Sequence, residues 1–490
     1  MSDFSKASAS LYDEGVGIKS FQAAVARPNW LSRKMLADLI SLYDILAILL
    51  SAWAAYYFYI ELLLETPIDK SGYTLVAIIA AAFFYAIAQH RGQYNKQADF
   101  RFAPQMSALI FVCALTLPSA FAAIFFLKIQ TEFSRIWVLL WGAFLLILLA
   151  AGRALMSQYT ETLMRKGLLR RSVALVGAGP QFEVARSALL KEKHHISLVC
   201  ALDLSAPNNA FPANSSGNIQ SFIMDAQNKH VDGVIIALPS TMAESLETVM
   251  EQVQILPVDI EVYPDFGGAR VQARQLHKIG DLSVITTVSK PIAEWGAFLK
   301  SVEDYVLGLA CLALFLPAMA VIAIAVKLDS KGPVFFRQRR HGYNHQVIEV
   351  VKFRTMTVME DGETVKQATR NDKRVTRVGA FLRRSSLDEL PQFWNVVRGE
   401  MSIVGPRPHA LAHNTYYGNL IEKYANRHRV KPGITGWAQV NGFRGETTDP
   451  DMMAERVRYD LDYIENWSIW LDLKIVLMTP LFGFFRRSAY

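Results

Sequence analysis

Apolar residues form long runs at the start of the chain and short, alternating ones later. Four runs, at residues 39–64, 72–88, 106–127 and 136–156, fill the first third. Each approaches the roughly 17–25 residues that a helix needs to cross a bilayer core, so four transmembrane helices are predicted. About 35 residues of mixed polarity precede the first run, and that run is too long for the apolar centre of a cleavable signal. Between 170 and 289 the pattern changes. Strand-like runs at 172–176, 196–202, 231–238 and 258–262 alternate with helical periodicity at 182–193, 219–229 and 242–253, the βαβ pattern of a parallel sheet. A fifth long apolar run covers 305–326. Segments 334–339 and 346–353 then read as a hairpin around His341, Gly342, Tyr343 and Asn344.

Composition turns this into a membrane protein with large soluble parts. Of 490 residues, 52% are hydrophobic and 19% charged, against about 25% charged in a soluble domain; a disordered chain is excluded. Cys113, Cys200 and Cys311 stand in apolar surroundings without metal-ligand spacing, so they read as buried thiols and not as a disulfide framework or zinc site. The net charge of +7 speaks to topology before nucleic acid. Lys6, Lys19, Arg27, Arg33 and Lys34 precede the first run; Arg91, Lys96 and Arg101 follow the second; Arg153, Arg165, Lys166, Arg170 and Arg171 end or follow the fourth. The other two loops hold only Lys70, Lys128 and Arg135, beside Glu61, Glu65, Asp69 and Glu132. The positive-inside rule therefore places the N-terminus, and everything after Arg165, in the cytoplasm. Asp38 and Asp44, near the cytoplasmic end of the first run, are expected to snorkel or to take a local hydrogen bond. The fifth run has base on both flanks, with Lys290 and Lys300 before it and Lys327, Lys331, Arg337, Arg339 and Arg340 after it. Both ends then favour one face. Pro317, near the middle, removes a backbone donor and bends a helix, so the expected path enters the membrane and returns.

Two regions carry candidate chemistry. The first strand of the middle region runs into Gly177-Ala178-Gly179-Pro180, the opening of a dinucleotide-binding turn. Phe182 stands where a third glycine belongs, and Asp203 is a candidate ribose contact. Gly177 and Gly179 thus leave two readings open: a nucleotide site, or a structural or regulatory Rossmann-like domain. From Lys327 onward the chain is rich in groups suited to phosphate. Lys352-Phe353-Arg354 ends the hairpin, Asp372-Lys373-Arg374 follows, and then comes Leu382-Arg383-Arg384-Ser385-Ser386-Leu387-Asp388-Glu389-Leu390-Pro391. Ser386 and Glu389 have capping-box spacing, while Pro391 suits a first helical position slightly later. Either start puts Asp388 and Glu389 at a helix N-terminus, where free N–H groups favour anions. Gly405-Pro406-Arg407-Pro408 holds another arginine in a stiff turn. Adjacent acids among arginines can be a mere surface ion-pair network. Here, two acids able to hold Mg²⁺ and several cations for phosphate oxygens follow a membrane-embedded helix. Phosphoryl transfer requires that set, because charge spreads over non-bridging oxygens in its transition state. The tail 467–485, with Trp467, Trp470, Phe482, Phe484 and Phe485 before Arg486 and Arg487, suits either core or a membrane interface.

The string at 385–408, SSLDELPQFWNVVRGEMSIVGPRP, resembles the catalytic segment of bacterial sugar transferases, the monotopic polyprenyl-phosphate phosphoglycosyl transferase superfamily. KFRTM at 352–356 and KPGITG at 431–436 match further blocks of that family. Residues 439–447 and 467–472 resemble its undecaprenyl-phosphate glucose phosphotransferases, which start exopolysaccharides of the colanic-acid and xanthan type. Four N-terminal helices and a degenerate Rossmann-like, CoA-binding-like domain fit the large subclass, so the resemblance covers nearly the whole chain. It departs at Ser301 and Leu316, where the family often has Arg and Ser.

The resemblance implies an α-helical membrane region plus α/β architecture. Its parts are a cytoplasmic N-terminal segment (1–36), a four-helix transmembrane domain (37–158) and a Rossmann-like parallel-sheet cytoplasmic domain (165–290). A re-entrant membrane helix bent at Pro317 (300–327) and a compact α/β catalytic domain (328–490) follow. The implied location is the bacterial inner (cytoplasmic) membrane. The implied reaction moves glucose 1-phosphate from UDP-glucose to undecaprenyl phosphate and releases UMP. Asp388 would be the nucleophile, forming a covalent phosphosugar-aspartate intermediate. Glu389, with Asp388, would hold Mg²⁺, and Lys352, Arg354, Arg383, Arg407, Arg427 and Asp460 would bind substrate. The expected partners are a UDP-sugar, undecaprenyl phosphate, the lipid bilayer and a second copy in a homodimer, with no nucleic acid. One alternative is the same reaction with UDP-galactose or a UDP-N-acetylhexosamine. Another is a membrane-anchored dinucleotide-binding protein or a polysaccharide-export scaffold.

Overall fold

The computed structural model describes residues 32–64, 70–95, 100–126, 134–165, 169–192, 196–205, 219–229, 231–264, 275–279, 282–357, 372–409, 411–421, 423–443 and 450–485. They belong to two compact units, Met1–Arg170 and Arg171–Tyr490. The basic residues Lys6, Lys19, Arg27, Lys96, Lys128 and Lys166, the block at 444–447, and Arg486 and Arg487 lie outside the described residues, as do the side chains of Phe482, Phe484 and Phe485.

In the first unit, α1 (Arg33–Tyr56) continues as a π-helical segment (Tyr57–Leu63). Then follow α2 (Lys70–His90), α3 (Phe102–Phe126) and α4 (Arg135–Arg165). Ser32 starts α1, its Oγ accepting from the Met35 amide at 3.1 Å, which satisfies one of the free donors of the first turn. Each of these helices is long and apolar enough to cross a membrane. Small residues such as Ala47, Ala52, Ala77, Ala80 and Ala88 line the packed faces and let the helix backbones approach. Leu50, Trp53, Leu139 and Ile147 face outward.

Asp44 does not snorkel. It is fully buried and accepts from Arg153 Nη2 at 2.6 Å and Tyr94 OH at 2.8 Å. The burial wins because a buried charge that finds a partner costs far less than a lone one. Asp44→Leu is therefore expected to lower stability by about 3–5 kcal/mol, whereas Asp44→Leu with Arg153→Met recovers most of that loss. Thermal melting in detergent checks both.

In the second unit, β1 (Arg171–Gly177), α5 (Gly179–Lys191), β2 (Ile196–Asp203), α6 (Ile219–Asn228), β3 (Gly233–Ala237), α7 (Ala243–Val253) and β4 (Asp259–Val262) alternate. β2, β1, β3 and β4 pair in that order, all parallel. β1 and β3 are buried on both faces, which is why they read as continuous apolar runs. The expected parallel sheet is extended by two antiparallel strands. β6 (Leu282–Val288) pairs antiparallel with β4, and β5 (Gln275–Ile279) pairs antiparallel with β6. β6 buries Leu282, Val284 and Thr286 on one face only, the alternating pattern of a half-covered antiparallel strand.

Next comes α8 (Trp295–Asp329), one continuous helix with Pro317 inside. One face packs along its length: Gly308 lies where an added Cβ would press on Val396, Phe315 stacks on Phe393, and Val326 clusters with Phe353, Leu382 and Leu390. Val306, Leu309, Leu314, Val321, Ile324 and Leu328 point outward on the other. Lys300 near its start is buried, with Nζ 2.6 Å from Asp472, 3.3 Å from Asp304 and 3.4 Å from Glu303. Asp304 also accepts from Ser402 Oγ and the Ile403 amide. At the far end Asp329 accepts from the Val378 amide at 3.0 Å. Ser301 is tied to its own helix, donating to Ala297 O at 2.7 Å.

The remaining elements are β7 (Phe335–His341), β8 (Val347–Phe353), α9 (Arg377–Ser385), α10 (Gln392–Val397), β9 (Ser402–Val404), α11 (Leu411–Leu420), β10 (Gly433–Thr435), α12 (Trp437–Val440), α13 (Pro450–Glu465) and α14 (Ile469–Phe485). α14 packs one side into the domain and leaves the other exposed. Ile475 and Asp472 are buried, and Trp470 and Leu477 are exposed.

Candidate active site

The hairpin register selects the first cations. In the antiparallel β7–β8 pair, Phe336 faces Lys352, Gln338 faces Val350 and Arg340 faces Ile348. Opposed residues share a face and alternate residues share it too, so Lys352 and Arg340 point the same way while Arg337 and Arg339 point to the other. Asn395 on α10 fixes the hairpin against the next elements. Its Oδ1 accepts from the Val351 amide at 3.0 Å, and its Nδ2 donates to Glu349 O at 2.7 Å.

The two acids occupy a single 3₁₀ turn (Leu387–Glu389) between α9 and α10. Thr376 caps the start of α9, and Ser386, left-handed at φ 58°, closes its end. The capping box of Ser386 and Glu389 therefore does not form. Ser386 ends one helix instead of starting another, and Pro391 stands just before Gln392, the first residue of α10. α10 has only six residues, so fixed side-chain cations, and not a helix terminus, make the positive field around the acids. Apolar packing of Leu390, Leu382, Phe353 and Val326 holds the turn in place.

Glu389 is tightly engaged. It accepts from Lys352 Nζ at 2.8 Å, from Arg407 Nη1 at 3.1 Å and from Arg407 Nη2 in a short contact. Burial acts to raise its pKa, but Arg407 and Lys352 overcome this and hold the carboxyl well below the usual range. Asp388, beside it, has no hydrogen-bond or ion-pair partner among the described residues. Burial and the Glu389 charge push it up to about 6, against the pull of Lys352, Arg407 and Arg383. Burial also lowers Lys352, with Glu389 opposing. Arg340, missed by sequence reasoning, donates to Pro408 O and Gln338 Oε1 and is pushed down to about 10 by burial and by Arg407. The alternation of 337, 339 and 340 along a strand was the signal that could have found it.

Arg354 is not at this site. Buried, it donates to Ser330 O at 2.7 Å and to Lys331 O, satisfying carbonyls beyond the end of α8. Gly332, at φ 132°, makes room for it, since a Cβ there would collide with the guanidinium. Arg427 and Asp460 do meet, with Nε to Oδ2 at 2.8 Å, both buried. Arg427 also donates to Arg407 O at 2.9 Å, so this pair backs the arginine that holds Glu389. Arg456, another missed residue, is buried, with Nε and Nη2 unpartnered among the described residues. Burial, with Arg427 and Arg407, pushes it down to about 9 against the pull of Asp460.

In the middle domain, a Cβ at Gly177 would collide with the Ala237 carbonyl, so that glycine serves strand packing. Gly179 is left-handed at φ 64°, and its amide donates to Ser205 Oγ at 2.9 Å. Ser205 in turn donates its amide to Asp203 Oδ1 at 2.8 Å, and Phe182 fills the core. The Gly179 amide and one Asp203 oxygen, groups a dinucleotide would use, are thus engaged with Ser205.

A hairpin lysine, a paired-acid turn and a buried arginine layer, standing beside a long apolar helix, define a membrane-associated phosphate-handling enzyme. Residues 295–486 match the family described as bacterial sugar transferase, and residues 89–264 match the CoA-binding domain family. The chain is 39% identical over 378 residues to the UDP-glucose:undecaprenyl-phosphate glucose-1-phosphate transferase of Xanthomonas campestris pv. campestris, covering 74% of this chain and 77% of that protein. The protein of the same name from Escherichia coli (strain K12) is 38% identical over 421 residues, covering 85% of this chain and 89% of its own length. The UDP-galactose-lipid carrier transferase of Erwinia amylovora is 27% identical over 452 residues, covering 87% of this chain and 90% of that protein. The chain belongs to the bacterial sugar transferase family.

Proposed function

We propose that this chain transfers glucose 1-phosphate from UDP-glucose to undecaprenyl phosphate, releasing UMP, as the first membrane step of an exopolysaccharide repeat unit. The observation that carries the chemistry is the contrast between two neighbouring carboxylates, Glu389 held by Lys352 and Arg407, and Asp388 without such a partner among the described residues. In this reading an Asp388 oxygen attacks the β-phosphorus of the UDP-sugar. The bond from that phosphorus to the bridging oxygen breaks, and UMP leaves with the electron pair. The sugar phosphate is then an acyl phosphate on Asp388. A phosphate oxygen of undecaprenyl phosphate attacks the same phosphorus, and the carboxylate departs. Lys352, Arg340, Arg383 and Arg407 supply positive charge for the non-bridging oxygens. Glucose is favoured over galactose by the higher identity to relatives named for glucose.

Asp388 and Glu389 suit Mg²⁺, which takes one or two carboxylates together with substrate phosphates. Four cationic side chains, Lys352, Arg340, Arg383 and Arg407, outnumber the two acids, so the ion fits here when a diphosphate adds its own negative charge. When bound, it neutralises the diphosphate and the departing UMP.

We read α1–α4 as transmembrane helices with a cytoplasmic N-terminus, and α8 as re-entrant with its bend at Pro317. The packing of both Lys300 and Asp329, at opposite ends of α8, on elements of one catalytic domain supports that path. Residues 328–490 then stand at the inner membrane face, where soluble UDP-sugar meets lipid phosphate. The Rossmann-like domain is read as structural or regulatory, because its turn groups are already engaged.

The test is exchange of labelled UMP into UDP-glucose by the purified protein with Mg²⁺ and no lipid phosphate. Label in UDP-glucose supports the acyl phosphate. UMP release that needs undecaprenyl phosphate, with no lipid-free exchange, would mean direct transfer. UDP-galactose and UDP-N-acetylglucosamine in parallel decide the sugar. The exchange rate is expected to fall on acidification as Asp388 takes up its proton, because burial and the Glu389 charge hold its pKa above the ordinary carboxylate value.

A further inference from the structure

We propose that His341, His345 and His428 bind one divalent transition-metal ion of the Zn²⁺ class, at a site separate from the paired acids. His341 ends β7, His345 closes the turn Tyr343–His345, and His428 lies in the turn Tyr424–Arg429. One nitrogen from each ring lies within 4.8 Å of the others, and the ring centroids are 4.3, 5.6 and 5.9 Å apart. Nitrogens on one tetrahedral ion, at about 2.0–2.1 Å from it, stand roughly 3.4 Å apart. Small rotations of the rings close that difference.

Two of the three rings have the hydrogen bond that metal ligation needs. His345 hydrogen-bonds to the backbone of Ala425, and His428 to that of Gly342. Metal-binding imidazoles donate the ring N–H that does not bind the ion to a carbonyl or carboxylate, as the backbone contacts of His345 and His428 do. His341 Nδ1 lies 2.9 Å from Asn414 Nδ2, an amide donor, so ligation through its other nitrogen requires the Asn414 amide to turn its oxygen toward this ring. His345 Nε2 is buried with no partner among the described residues, an unfavourable state for a polar atom that coordination would remove. Packing alone leaves that nitrogen orphaned. Asn344 and His345 are both left-handed, at φ 54° and 58°, so the backbone holds this ring in place at the expense of strain. Burial keeps all three rings below the ordinary histidine range, and ligands must be neutral.

Three imidazoles suit Zn²⁺, Co²⁺ or Ni²⁺, whereas Mg²⁺ takes oxygen ligands. The ion would join the segment that follows Arg340 to the turn that carries Arg427, and so position two cations of the sugar-transferase site.

The experiment uses the full-length protein in detergent, purified through a tag without histidine, stripped with chelator and loaded with Co²⁺ alone. The expected result is one Co²⁺ per chain with the visible absorption of a tetrahedral site, displaced by Zn²⁺ and not by excess Mg²⁺. His345→Asn and His341→Asn should each weaken binding roughly a hundredfold, with thermal melting of the metal-free proteins unchanged. Three results would overturn the proposal: no stoichiometric Co²⁺, equal binding by both variants and wild type, or loss of the ion in Asp388→Asn or with Mg²⁺. The last would place the ion on the paired acids.

Discussion

Asp388→Asn is expected to abolish lipid-free UMP exchange, by a thousandfold or more on the order of what removal of a nucleophile costs. Asparagine keeps the shape of the turn but offers no anionic oxygen to phosphorus. Its stability should move the other way. The folded pKa of Asp388, about 6, lies above its ordinary 3.8. Between those values the native state binds more protons than the unfolded chain, so stability falls as pH rises through that window and stays at its lowest above it. Removing the charge removes its repulsion with Glu389. At neutral pH the variant should therefore melt at or above the wild-type temperature while being inactive. A dead variant with a lower melting temperature would mean that Asp388 holds the turn together, and would argue against the nucleophile role.

The second large effect is expected at Asp460→Asn, as a loss of about 3–5 kcal/mol of stability from an uncompensated buried charge. Arg427 and Arg456 are both buried, and Asp460 is the acid that opposes their charges. Arg427 also binds the Arg407 carbonyl, so exchange activity should fall with stability as Arg407 loses its support. Denaturant unfolding of the detergent-solubilised protein gives the first number. A stable variant with raised KM for the UDP-sugar alone would assign Asp460 to substrate contact instead.

The paired acids were legible because their meaning lies in adjacent residues. Asp388, Glu389, Arg407 and Lys352 come from short motifs, and all four meet in the structure. Arg354 has the same charge as Lys352, two positions away, yet serves carbonyls after α8. Charge type in a phosphate-rich segment does not say which neighbour a guanidinium will find. Ser386 had the right spacing for an N-cap and became a left-handed helix end, because the preceding nine-residue helix reached it first.

By itself the sequence determined the apolar helices, the βαβ alternation, the family and the motif acids. These depend on local periodicity and on contiguous residues, which a linear pattern records. The tertiary structure alone decided which arginines reach the acids. It also decided that Lys300 is buried against Asp472, 172 positions away, that an antiparallel pair closes the middle sheet, and that two histidines of the hairpin converge with one from a distant turn. Each of these depends on strand register or on contacts between distant segments, fixed only when the hydrophobic faces pack and buried charges must find partners.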